Sequence, residues 1–106
     1  MSNLHDAVAK VRDGSSLYWG FYHLEDRQAD SALVEVRLNA TPEIIASFVA
    51  PGGWEVERVR WSDTLFLRRH QSLEPEAVEA MLIELLELAA AKGMQLHSWL
   101  HGSDAD

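Results

Sequence analysis

The stretch that most constrains this chain is "PEAVEAMLIELLELAAAKG", residues 75–93. Proline suits the first position of a helix, where its missing N–H has no partner to lose, and glycine is the usual residue just past a helix end. Nothing between them breaks a helix. At about 100° per residue, Val78, Met81, Leu82, Leu85, Leu88 and Ala89 fall on one broad side. An apolar stripe of that length must be laid on something, and the other segments of the chain have to supply it.

The polar side is of one sign. Glu76, Glu79, Glu84 and Glu87 share it, and no lysine appears until Lys92. Like charges three and four residues apart cost a few tenths of a kcal/mol each when no cation relieves them. Ile83 falls inside this acidic arc. One reading is a solvated face with Ile83 tucked under a loop or another helix. The other is an acidic rim around an apolar anchor, a common interface composition. On the second reading Glu76, Glu79, Ile83, Glu84 and Glu87 are the candidate partner-binding residues.

Leu4, Ala7, Val8 and Val11 recur at helical spacing, so residues 3–12 are expected to be helical and 1–13 to form an N-terminal helical segment closed at Asp13-Gly14. "SLYWGFYHLE", residues 16–25, is rich in aromatics and reads as a strand. Val34, Val36 and Leu38 alternate with Glu35, Arg37 and Asn39, the pattern of a half-buried strand. Thr41-Pro42 opens a short helix as cap and first residue, with Ile44, Ile45, Phe48 and Val49 as its apolar stripe. Residues 54–70 read as a β-hairpin. The parity of Trp54 and Val56 differs from that of Val59 and Trp61, which predicts a bulge near Glu57–Arg58. Gln95–His101 is the last strand, and residues 102–106 are expected to be a flexible acidic tail.

Composition narrows the chemistry. The 106 residues suit a single domain spanning 1–106. Cysteine is absent, which removes disulfides, thiol catalysis and thiolate metal sites. The net charge of −8 opposes sequence-independent nucleic-acid binding and favours basic partners. No run of 18 apolar residues exists, and the opening residues lack the apolar core of a signal peptide, so a cytoplasmic protein without a membrane span is expected.

Catalytic signatures are missing. "PGGW" lacks the Gly-Lys-Ser/Thr of a phosphate loop. His97 and His101 on a strand stand about 13 Å apart, too far to share one metal ion. Arg58, Arg60, Arg68 and Arg69 lie on the hairpin beside Trp61 and Phe66, an arrangement that suits RNA or, more simply, pairing with Glu55 and Glu57. No cofactor or metal is expected.

Residues 33–102 have the βαββαβ order of a ferredoxin-like fold. Within them "LEPEAVEAMLIELLELAAAKGMQLHSW" resembles the end of the ribonuclease E inhibitor family, regulator of ribonuclease activity B: a long helix, a loop, then a strand ending in tryptophan. That family tends to have Asp-Gly before the tryptophan, where this chain has His97-Ser98 before Trp99. The resemblance implies a small acidic protein that binds and restrains a nuclease.

The expected fold is α+β: a ferredoxin-like or related antiparallel sheet of 4–5 strands, two helices packed on one face and a short N-terminal helix. The expected function is a small, acidic, non-catalytic protein-binding regulator. Its partner would be the basic surface of another protein, such as a nucleic-acid-processing enzyme that it inhibits, anti-defence and antitoxin-like roles included, with no direct contact to nucleic acid or membrane. The alternative is a small homodimeric enzyme or ligand-binding protein. In it Trp19, Phe21, Tyr22 and Trp61 line a cavity, with His70 or His97 as acid–base group. A third possibility is a self-associating domain that uses "LYWGFYHL" as its interface.

Overall fold

A computed structural model describes residues 3–22, 31–58 and 63–102. The elements are α1 (Asn3–Asp13), a 3-10 turn (Leu17–Phe21), β1 (Ala32–Asn39), α2 (Pro42–Ser47), β2 (Glu55–Arg58), β3 (Thr64–Gln71), α3 (Pro75–Lys92) and β4 (Gln95–His101). The four strands form one sheet in the order β2-β3-β1-β4, and every pairing is antiparallel. From β1 to β4 the element order is βαββαβ, with α2 and α3 as the two helical connections. α1 packs against α3.

Strand alternation sorts the residues onto the two sides of the sheet. Val34, Val36 and Leu38 of β1, Leu65 and Leu67 of β3, and Leu96 and Trp99 of β4 are buried on the helix side. Val78, Met81, Leu82, Leu85 and Ala89 of α3 complete that core, as their spacing predicts, while Leu88 is half-buried. α3 ends at Gly93, whose φ of 73° is left-handed and whose N–H donates to the Ala89 carbonyl. A side chain there would pay a conformational penalty that glycine avoids.

Thr41 caps α2: its hydroxyl oxygen accepts from the Ile44 N–H at 3.3 Å, and Pro42 follows at the first helical position. The helix stops at Ser47, and Phe48 is extended. That reversal buries Phe48 but turns Val49 outward, 82% exposed, so Val49 leaves the predicted apolar stripe.

Two expectations are corrected. Residues 17–21 are a 3-10 turn and not part of a strand over 16–25, of which residues 23–25 lie outside the described residues. The aromatic rings pack on the core side by side while their polar tips seek main-chain carbonyls. Tyr18 O–H donates to Leu96 (2.6 Å), Trp19 Nε1–H to Val11 (3.0 Å) and Tyr22 O–H to Leu73 (2.9 Å). In return Trp99 Nε1–H donates to the Tyr18 carbonyl at 2.9 Å. Anchored at points on α1, β4 and the segment before α3, these residues form a strap that an extended strand could not replace. Burial of Tyr18 pushes its phenol pKa up.

The hairpin forms, but its register runs without a break from Glu55↔Arg68 to Arg58↔Leu65, so no bulge interrupts it there. Val59 and Trp61 lie outside the described residues. The register shift falls elsewhere, between Arg37 and Leu38 against β4, where Arg37 pairs with Ser98 and Leu38 with Leu96. His97 is the extra residue.

Two stability measurements test this packing. In urea melts Leu85→Ala is expected to cost about 2–5 kcal/mol through the cavity it opens. Tyr18→Phe should cost about 1 kcal/mol by removing one hydrogen bond. An unchanged midpoint for Tyr18→Phe would show that the strap is not held by its polar tips.

Candidate functional site

Arg69 pairs with Val34 across the sheet, so its stem rises on the helix side. A guanidinium there needs partners. Glu84, two turns into α3, supplies them: Nη2 donates to Oε1 at 3.1 Å and Nη1 to Oε2 at 3.3 Å. The Trp54 indole N–H donates to the same Glu84 Oε2 at 3.0 Å, and the Arg69 guanidinium carbon sits 4.0 Å from a Trp54 ring centroid. Gln71 accepts from Arg69 Nε and Nη2 through its side-chain oxygen, at 3.1 and 2.6 Å. The turn before Trp54 makes this approach possible. Gly53 has φ 92°, and its vacant Cβ position lies 3.7 Å from the Arg69 Cδ.

Glu84 was grouped with the candidate partner-binding residues, and the fold already engages its carboxylate. The rest of that set is placed differently. Glu76 and Glu87 are exposed and Glu79 is half-buried, and none of the three has an ion-pair partner among the described residues. Ile83 is half-buried and packs against the core cluster, so only part of its side chain faces outward. Glu87 also borders a groove of about 420 Å³ between α1 and α3, lined by Leu4, His5, Val8, Ala9 and Arg12.

The other side of the sheet carries a second charged cluster. Glu35 is 4% exposed. Arg68 donates to its Oε2 from Nε at 2.8 Å and approaches it from Nη2 at 2.7 Å. Arg68 also reaches Glu57 Oε1 from Nη1 at 3.1 Å. Arg37 approaches Glu35 less closely, at 3.7 Å, and lies over the Phe66 ring at 5.4 Å. Of the hairpin arginines, Arg68 and Arg69 are thus held by Glu35, Glu57 and Glu84. Arg60 lies outside the described residues.

The residues considered for catalysis are scattered. His70 is exposed near the end of β3. His97 is exposed at the bulge, whereas His101 is buried, with its Nε2 donating to the Phe21 carbonyl at 3.1 Å. Trp19 and Tyr22 are committed to the strap. Phe21 lines a groove of about 920 Å³ with Lys10, Leu17, Tyr18 and His97. Trp61 lies outside the described residues.

Sequence reasoning missed Arg37, Glu35 and the Trp54–Arg69–Glu84 clamp. The alternation of β1 shows that Glu35 and Arg37 share a face, but which cations lie opposite depends on a long-range register. No family model matches the chain, and no curated protein or solved structure matches it either.

A pair of substitutions separates clamp from surface. Glu84→Ala should destabilise the protein by about 1–3 kcal/mol, because it removes the carboxylate from a half-buried guanidinium and leaves an indole N–H without its acceptor. Glu79→Ala should stay within about 0.5 kcal/mol of the parent. Equal effects in thermal or chemical melts would place Glu84 back on the surface.

Proposed function

We propose that the protein is a small, acidic, non-catalytic binding regulator whose α3 docks on a basic surface of another protein. The observation that carries this reading is the division of charge on α3. Glu84 is neutralised by Arg69, while Glu76, Glu79 and Glu87 have no ion pair among the described residues. Arg68 and Arg69 are engaged by Glu35, Glu57 and Glu84, so neither is available to the other acids of α3, in a chain whose net charge is −8. A field of this sign speeds encounter with cationic partners and slows it with phosphate backbones.

The partner we favour is a nucleic-acid-processing enzyme such as a nuclease, acting in the cytoplasm. Its substrate site must be basic to hold phosphates. Carboxylates spaced along a rigid helix would occupy that site and exclude the substrate, which is inhibition without chemistry. Antitoxin-like and anti-defence roles use the same physics. The exposed part of Ile83 would supply a small apolar contact at the centre of the charged rim.

The test is a charge-removal variant, Glu76→Gln/Glu79→Gln/Glu87→Gln, which leaves Glu84 and the clamp untouched. Against the partner recovered from the cells that make the protein, the variant should lose about tenfold or more in affinity, equivalent to about 1.4 kcal/mol. The parent's association rate should fall as salt rises, because screening shortens the reach of steering. Unchanged affinity in a variant with an unchanged circular dichroism spectrum would remove α3 from the interface.

A further inference from the structure

The sheet face turned away from the core carries a feature that partner docking through α3 does not use. Arg37 lies there between Phe66 of β3 and Ser98 of β4. Its Nε is buried and makes no hydrogen bond among the described residues. Buried donors are almost always paired, so one left open marks either a strained rotamer or a missing acceptor. The nearest carboxylate, Glu35, does not fill the role: Arg68 holds it at 2.7 and 2.8 Å, whereas Arg37 Nη2 stands 3.7 Å away. Arg37 keeps 37% of its side chain exposed, so its outer edge is open to a ligand.

The surroundings have the shape and chemistry of a small site. A groove of about 350 Å³ is lined by Arg37, Asn39, Asp63, Thr64, Phe66 and His97. That volume is near the lower end of the range for small-molecule pockets, about 300–1,000 Å³. The bulge against β4 brings His97 to this groove, and bulges are a recurrent way to re-aim a side chain at a site. The His97 Nδ1 lies 2.9 Å from the Ser98 hydroxyl, a contact that steadies the ring. Phe66 offers an aromatic surface.

We infer that this groove binds a small organic carboxylate with a flat apolar body, clasped by the Arg37 guanidinium and lying beside Phe66. A carboxylate matches the planar fork of Nε–H and Nη–H, and a modest rotation of Arg37 would give the unpaired Nε–H its acceptor. One arginine sharing the groove with Asp63 is a poor host for a dianion, which sets the singly charged carboxylate above phosphate. Asn39 and Thr64 provide the polar contacts that fix orientation. The carboxylate belongs either to a free metabolite-sized acid or to the terminus of a polypeptide, since both present the same group.

The experiment is a two-dimensional amide NMR titration of the full chain, with the arginine Nε–H region included. Benzoate is the probe for a free acid and N-acetylphenylalanine for a chain terminus; benzamide, N-acetylphenylalanine amide and inorganic phosphate are the controls. Benzoate or N-acetylphenylalanine should give saturable shifts at Arg37, Thr64, Phe66 and His97, and the tighter of the two identifies the source. The uncharged amides and phosphate should bind at least about tenfold more weakly. Arg37→Lys should weaken the acid by a similar factor, because lysine keeps the charge but loses the fork. The absence of saturation by either acid up to about 20 mM, a range that would detect millimolar binding, overturns the proposal. So does equal binding of acid and amide, or an Arg37→Lys variant that binds as the parent does. The acid-against-amide comparison uses the parent protein alone, so it decides the matter even if the variant folds poorly.

Discussion

The position of Arg69 sets the terms for much of this structure. Strand alternation places it on the side of the sheet that the helices cover. A guanidinium in that position is tolerable only when its charge and its hydrogen-bonding hydrogens are met. Three separate segments meet them: α3 through Glu84, the turn before β2 through Trp54, and β3 itself through Gln71. The long helix, the hairpin and the Gly-Gly turn are therefore fixed relative to one another by one side chain. The carboxylate on an otherwise unremarkable turn of α3 follows from it, and Gly53, with φ 92°, lies beside the Arg69 stem.

The same arrangement divides the charges of the molecule. On the helix side Arg69 takes Glu84; on the outer face Arg68 takes Glu35 and Glu57. Among the described residues, what remains on α3 is acid without an ion-pair partner, and what remains on the outer face is Arg37, close to Glu35 but not hydrogen-bonded through Nε. An electrostatic reading of composition alone sees only the sum. The structure separates an acidic surface on α3 from the Arg37 guanidinium on the outer face of the sheet.

Local periodicity was enough to find α3, β1, the Thr41-Pro42 helix start and the hairpin, because each depends on residues within a few positions of one another. The βαββαβ order followed from them. Residues 17–21 were misread as strand because aromatic enrichment signals burial, not extension. Only their tertiary partners, the carbonyls of Val11, Leu73 and Leu96, reveal a strap. Val49 was misplaced because the exact end of α2 decides which way it points. Glu84 looked like any other glutamate of its face, and nothing near it in sequence announces Arg69. Of the candidate surface, Glu76, Glu79 and Glu87 were legible from the helical wheel, whereas their separation from Glu84 was not.

The central claim is that Arg68 and Arg69 belong to the fold and so do not oppose the remaining acids of α3. Hydrogen exchange at the arginine Nε–H groups measures this directly, since a guanidinium held by a carboxylate in a half-buried site exchanges more slowly than one in water. The account predicts slow exchange and sharp resonances for Arg68 and Arg69, whose Nε–H groups are bonded to Glu35 and Gln71, against fast exchange for the exposed Arg12. Arg68 and Arg69 exchanging as fast as Arg12 would mean that those cations are available to solvent, and the division of charge proposed for this protein would not hold.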